Sequence, residues 1–157
     1  MIGLLQRVSH AEVTVDGKTI GQIGRGLMVL VAVHRDDTDK DVTRLAERLL
    51  GYRVFADDEG RMNRSVRDIS GGLLLVPQFT LTADTKKGTR ASFTKGAAPD
   101  KATAYFDRLV EICCQQHAPV ETGAFGANMQ VSLTNDGPVT FWLDTKEIRY
   151  RTPYLRK

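Results

Sequence analysis

Gly26-Leu27-Met28-Val29-Leu30-Val31-Ala32-Val33 is an unbroken apolar run. A strand with one solvated face alternates apolar and polar side chains, so a run of this length predicts a central strand buried on both faces. Such a strand needs neighbours at its edges and cover on its faces. Upstream, Met1 to Val8 and Ala11 to Val15 read as strands, and Asp16-Gly17 is a tight-turn signal leading into a strand over Thr19 to Ile23. Downstream, Val42, Leu45, Ala46, Leu49 and Leu50 recur at helical spacing. They predict a helix that begins near Asp37 or Thr38 and stops at Gly51.

Further along, a short strand is expected at Tyr52 to Phe55 and a polar turn at Asp57-Asp58-Glu59-Gly60. Gly71-Gly72 introduces a second buried strand, Leu73-Leu74-Leu75-Val76, which runs straight into Pro77-Gln78-Phe79-Thr80-Leu81 and so delivers polar groups to the rim of a sheet. Asp84 to Gly96 reads as a long loop. A second helix opens at Ala98-Pro99-Asp100, proline being permitted in the first turn, with Ala102, Tyr105, Phe106, Leu109, Val110 and Cys113 as its apolar face. Met129, Val131 and Leu133 alternate with polar residues, as do Val139, Phe141 and Leu143, which predicts two more strands. The implied fold class is α+β: one domain with two main helices on a mostly antiparallel, strongly curved or barrel-like sheet.

At 157 residues the chain suits a single domain. Apolar content of 41% and charged content of 26% are those of a globular protein, and no apolar run approaches the roughly 20 residues of a membrane span. With no basic and apolar leader pattern, a cytoplasmic location and no membrane partner are expected. Residues 146–157 hold five of the 22 basic residues and one of the 19 acidic ones, so this stretch carries +4 and the first 145 residues carry -1. The division is therefore 1–145, the folded domain, and 146–157, a basic C-terminal tail. The basic isoelectric point belongs to that tail, which reads either as a nucleic-acid arm or as an extension without a role. Cys113 and Cys114 are adjacent on a helix, and with His10, His34 and His117 scattered they offer no metal-ligand spacing, so neither metal nor other cofactor is expected. Gly21-Gln22-Ile23-Gly24-Arg25-Gly26 precedes a strand rather than joining strand to helix, and reads as a turn and not a nucleotide site.

Two segments carry chemistry. In Asn135-Asp136-Gly137-Pro138-Val139-Thr140 a Gly-Pro bond falls between two alternating runs, where a plain hairpin would carry Asn-Gly or Asp-Gly. Glycine reaches backbone angles closed to other residues and proline lowers the cost of a cis bond to about 0.5–1 kcal/mol, so the pair can aim carbonyl oxygens rigidly. In Gln78-Phe79-Thr80, successive amides and a hydroxyl at a strand end suit an ester carbonyl and its developing oxyanion. No general base is spaced to activate Thr80 as a nucleophile. Together with Gln6-Arg7-Val8 and Met129-Gln130-Val131-Ser132-Leu133, these segments resemble the D-aminoacyl-tRNA deacylase family, from about Met1 to Leu143 and in matching order. One departure is plain: Pro77 stands where the family usually has serine.

The resemblance implies a homodimeric ester hydrolase with active sites at the subunit interface, acting on the acceptor end of D-aminoacyl-tRNA to release a D-amino acid and tRNA. Gln78, Phe79 and Thr80 would form the catalytic segment, with the 2'-hydroxyl of the terminal adenosine assisting attack by water. Gly137 and Pro138, in a cis conformation, would enter the partner subunit's site as a chirality filter, excluding L-aminoacyl esters sterically and leaving glycyl-tRNA as a further substrate. Arg7 would hold the Gly-Pro carbonyls, or else is a rim charge with a packed stem. Phe79 reads equally as an adenine platform or as core. Lys86, Lys87, Arg90 and Lys95 form the best phosphate-binding cluster of the folded part, the alternative being a solvated charged loop. The competing function is a catalytically inactive nucleic-acid-binding module on the same fold.

Overall fold

The computed structural model describes residues 1–146; the expected tail thus lies, past Lys146, outside the described residues. The chain begins with one long strand, β1 (Ile2–Val15), where the sequence predicts two. It turns at Asp16 and Gly17, both at positive φ, into β2 (Lys18–Ile23), and then enters the central strand β3 (Gly26–Ala32). Helix α1 (Asp39–Gly51), a small hairpin of β4 (Phe55–Ala56) and β5 (Met62–Arg64), and β6 (Gly72–Pro77) follow. A 3-10 turn (Phe79–Thr82), helix α2 (Pro99–Gln116), the short β7 (Val120–Thr122) and the long β8 (Gln130–Asp144) complete the described chain.

β1 organises the sheet. One edge pairs with β3 over Ile2–Val8 and with β2 over Ala11–Val15, while the other edge pairs with β8 along nearly its whole length. These contacts are antiparallel. The β3–β6 and β6–β7 pairs are parallel, because α1 with its hairpin, and then α2, serve as crossovers. The sheet curls until β2 meets its far edge: a Cβ on Gly21 would lie 2.6 Å from the Thr122 carbonyl oxygen. The result is a nearly closed, barrel-like sheet in one domain with two helices.

The helices cover one face, where Leu5, Leu27, Val29, Leu73 and Leu75 meet Leu45, Leu49, Phe106 and Leu109. A smaller cluster on the other face comprises Val8, Val13, Met28, Leu74 and Val76. The buried residues of α1 are Val42, Leu45, Ala46, Leu49 and Leu50, the periodic set of the sequence. At its start the Asp41 carboxylate accepts from the Thr38 amide (2.8 Å) and from the Thr145 hydroxyl (2.7 Å). The buried Met1 ammonium donates to Asp37 at 2.8 Å and to Thr145 Oγ1 at 2.6 Å. This polar knot pins the ends of β1 and β8 to α1.

Candidate active site

Two sites emerge from one sheet. At the first, β6 ends at Pro77 and after Gln78 the chain enters the 3-10 helix, so Thr80 lies three residues beyond the strand rather than on it. The Gln78 amide donates to the Val31 carbonyl at 2.7 Å, the last rung of the ladder toward β3. That corrects one expectation, because this amide is already used and is not free for an oxyanion. The amides of Phe79 and Thr80 open the 3-10 turn, where N–H groups lack intrahelical acceptors, and neither has a partner among the described residues. The Gln78 side-chain amide donates to Thr80 Oγ1 and orients it. No His, Asp or Glu among the described residues bonds to that hydroxyl, so it is not activated for nucleophilic attack.

Pro77 fits its place for a backbone reason. Successive N–H groups of a strand point to opposite edges, and since Gln78 faces β3, the Pro77 nitrogen faces β7. There the last pair of the ladder joins Leu75 to Thr122, so proline removes no observed bond and its ring packs within reach of Gly123 instead. Beside this turn opens a pocket of about 440 Å³ whose lining includes Val33, Pro77, Phe79, Phe93, Phe106 and Phe125. Phe79 is 60% exposed and meets Phe93 edge-on at 5.2 Å between ring centres, so it belongs to the mouth of the pocket and not to the core.

The second site is the Gly137-Pro138 junction. It is not a turn between two strands: both flanking runs belong to β8 and both pair with β1. Gln6 pairs with Thr140 and Val8 with Asn135, so two steps along β1 match five along β8, and the surplus residues bulge outward. The Gly137–Pro138 peptide is cis, Gly137 has φ +151°, and both residues are exposed. A Cβ on Gly137 would lie 2.7 Å from the Val139 nitrogen, which no side chain can accommodate. Arg7 sits opposite the bulge. Its Nε donates to the Asp136 carbonyl at 2.8 Å and one terminal nitrogen donates to the Val54 carbonyl at 2.7 Å, so it bridges the bulge to the segment before β4. No hydrogen bond or ion pair among the described residues joins the bulge to the Gln78–Thr80 turn of the same chain.

The expected phosphate-binding residues fall on the loop beyond the 3-10 turn. Lys86, Lys87 and Arg90 are exposed, whereas Lys95 is paired to Asp84 at 3.3 Å. Hydrogen bonds from the Lys86 amide and from Lys95 hold Asp84 below the usual carboxylate range, so this carboxylate ties the base of the loop. Burial pushes the Cys113 thiol up to about 12, leaving it inert near neutral pH.

The family model described as D-Tyr-tRNA(Tyr) deacylase matches residues 4–144, spanning both motifs and the strands that carry them. The chain belongs to this deacylase family. A D-aminoacyl-tRNA deacylase of Thioalkalivibrio sulfidiphilus is 62% identical over 144 residues, covering 92% of this chain and 97% of its own. One from Herminiimonas arsenicoxydans is also 62% identical, over 146 residues, 93% of this chain and 98% of its own. Among solved structures, the c-Myc DNA unwinding element binding protein superposes with a TM-score of 0.88 at 36% identity, covering 92% of this chain and 99% of its own. The deacylase fold thus accounts for nearly all of the described residues.

Sequence reasoning missed β7, which is only three residues long, and the side-chain network of Asn135. The Asn-x-Gly-Pro pattern carried the signal for the latter, since asparagine bonds readily to backbone a few residues away.

Proposed function

We propose that this protein hydrolyses the ester of D-aminoacyl-tRNA, releasing the D-amino acid and a reusable tRNA, as a cytoplasmic homodimer. The observation that carries the reading is the family match over residues 4–144, with both motifs intact except at Pro77. In the reaction a water oxygen adds to the ester carbonyl carbon and the bond to the ribose 3'-oxygen breaks, that oxygen leaving with a proton. The Phe79 and Thr80 amides stabilise the negative oxygen of the intermediate, and Gln78 aligns the Thr80 hydroxyl beside them. Among the described residues no base bonds to the Thr80 hydroxyl, and the 2'-hydroxyl of the terminal adenosine supplies the neighbouring group that orients or activates the water. The apolar pocket takes the aromatic or aliphatic parts of the acceptor end, with Phe79 at its mouth.

Selectivity comes by exclusion. The Gly137-Pro138 bulge of one subunit reaches the Gln78–Thr80 turn of its partner, where its carbonyls occupy the space of an L side chain and leave room for hydrogen. Two features support this assignment: no residue of the exposed bulge lines the pocket of its own chain, and Val131 and Trp142 on the same strand are large apolar residues exposed to 36% and 45%. Glycyl-tRNA, with no side chain to exclude, is a second substrate. Lys86, Lys87 and Arg90 contact acceptor-end phosphates, with Lys95 held back by Asp84.

The deciding assay compares D-tyrosyl-tRNA, L-tyrosyl-tRNA and glycyl-tRNA. Cleavage of the first and third with the second spared is the expected result. A DNA-element-binding name on a neighbour of this fold favours a second reading, a nucleic-acid-binding module without turnover. Binding of D-tyrosyl-tRNA without hydrolysis would establish that alternative.

A further inference from the structure

We infer that Asn135 is a positioning residue that sets the shape of the Asp136–Val139 bulge and thereby the stringency of the chirality filter; this rests on the deacylase reading above. Asn135 stands at the foot of the bulge, where β8 leaves its register with β1. Its Oδ1 accepts the Val139 amide at 2.7 Å. Its Nδ2 donates to Thr140 Oγ1 at 2.9 Å, and reaches the Val139 carbonyl and Gln6 Oε1 at 3.3 Å each. One side chain therefore spans from the first stem of the bulge to the second. Two hydrogens face three acceptors, so the Thr140 bond is the strong one and the two longer contacts share the other hydrogen.

The Val139 amide explains why the staple is needed. Residues in a bulge lose their ladder partners, and an N–H left without an acceptor destabilises whatever conformation exposes it. Asn135 supplies that acceptor and ties Val139 back, which fixes the exit of the loop, while Arg7 fixes its entry through the Asp136 carbonyl. Gly137 and Pro138 lie between these two anchors and make no side-chain bond of their own. Exclusion of an L side chain depends on where their carbonyls stand, and a displacement on the order of 1 Å is enough to change a rate by about 100-fold. Gln6 completes the arrangement from β1, facing Thr140 across the ladder.

The test uses full-length Asn135→Ala, Asn135→Asp and Gln6→Ala proteins, assayed with D- and L-tyrosyl-tRNA, alongside amide hydrogen exchange at Val139. Asn135→Ala is expected to raise the ratio of L to D cleavage at least 10-fold and to speed exchange at Val139. Asn135→Asp keeps the acceptor for that amide and should recover part of the discrimination, and Gln6→Ala should shift the ratio in the same direction by less. A folded Asn135→Ala protein with an unchanged ratio overturns the inference, as do D and L rates that fall in parallel or unchanged exchange at Val139. Should Asn135→Ala fail to fold, Gln6→Ala and Asn135→Asp decide by the same ratio. Failure of the wild-type protein to cleave D-tyrosyl-tRNA would instead sink the deacylase reading itself.

Discussion

Gly137 has little freedom to vary. Its φ of +151° and the 2.7 Å separation that a Cβ would have from the Val139 nitrogen leave no room for alanine. Gly137→Ala is therefore expected to distort the bulge and reduce discrimination between D- and L-tyrosyl-tRNA by at least 10-fold, read from the two deacylation rates. Arg7 ties the same bulge to the segment before β4 by donating to one carbonyl of each, Asp136 and Val54, a pair that a planar fork with several donors can bridge and a single ammonium cannot. Arg7→Lys should accordingly behave like Arg7→Ala in that assay. At the other site, the Thr80 hydroxyl has only Gln78 as a hydrogen-bond partner among the described residues, so Thr80→Ala should slow cleavage by about 100-fold at most, the lower range for loss of one oxyanion contact. A tRNA ending in 2'-deoxyadenosine should suffer more. Complete loss with Thr80→Ala and none with the deoxy substrate would point to a covalent intermediate on the threonine. Pro77→Ser adds an N–H facing the end of β7 and is expected to leave the rate within a few-fold; a much faster enzyme would show that proline impairs the site.

At the scale of elements, the start of α1 carries a pH dependence. Burial by itself would raise the Asp41 carboxyl, but the Thr145 hydroxyl, the Thr38 amide, the Met1 ammonium and Lys146 outweigh it and lower it from 3.8 to about 2. A carboxyl lowered on folding stabilises the native state above its unfolded pKa, and that contribution disappears as pH falls through the folded value. The melting temperature should thus drop between about pH 4 and pH 2, and Asp41→Asn should be less stable at neutral pH with a shallower drop in that window. An identical slope in the variant would assign acid sensitivity to other carboxylates. Helix positions were legible in the sequence because most of their periodic apolar residues are buried: all five from Val42 to Leu50 in α1, and Ala102, Phe106, Leu109 and Cys113 in α2, where Ile112 is buried in addition and Tyr105 and Val110 are only half-buried. The continuity of β1 and β8 was not, since polar Ser9 and His10 interrupt one pattern and the Gly-Pro pair interrupts the other, while backbone pairing runs past both.

For the whole molecule, the decisive expectation is that each active site needs two chains. Thr80 and Gly137 variants that are each impaired should regain discriminating activity when mixed and refolded together, because one site of the mixed dimer then has an intact turn and an intact bulge. Lack of any recovery, or a monomer by sedimentation that remains fully selective, would remove the shared-site arrangement. The order of residues along the chain was enough for the central strand Gly26–Ala32, the two helices and the family, because burial and backbone demands act on residues close together in the chain. The folded arrangement was needed to show that Gly137-Pro138 protrudes as a bulge opposite Arg7, that the Gln78 amide is consumed by Val31, and that Asn135 closes the bulge on Val139. These depend on which hydrogen-bonding groups face each other once β1, β3, β6 and β8 are in register, and the β1–β8 pairing joins residues more than a hundred positions apart.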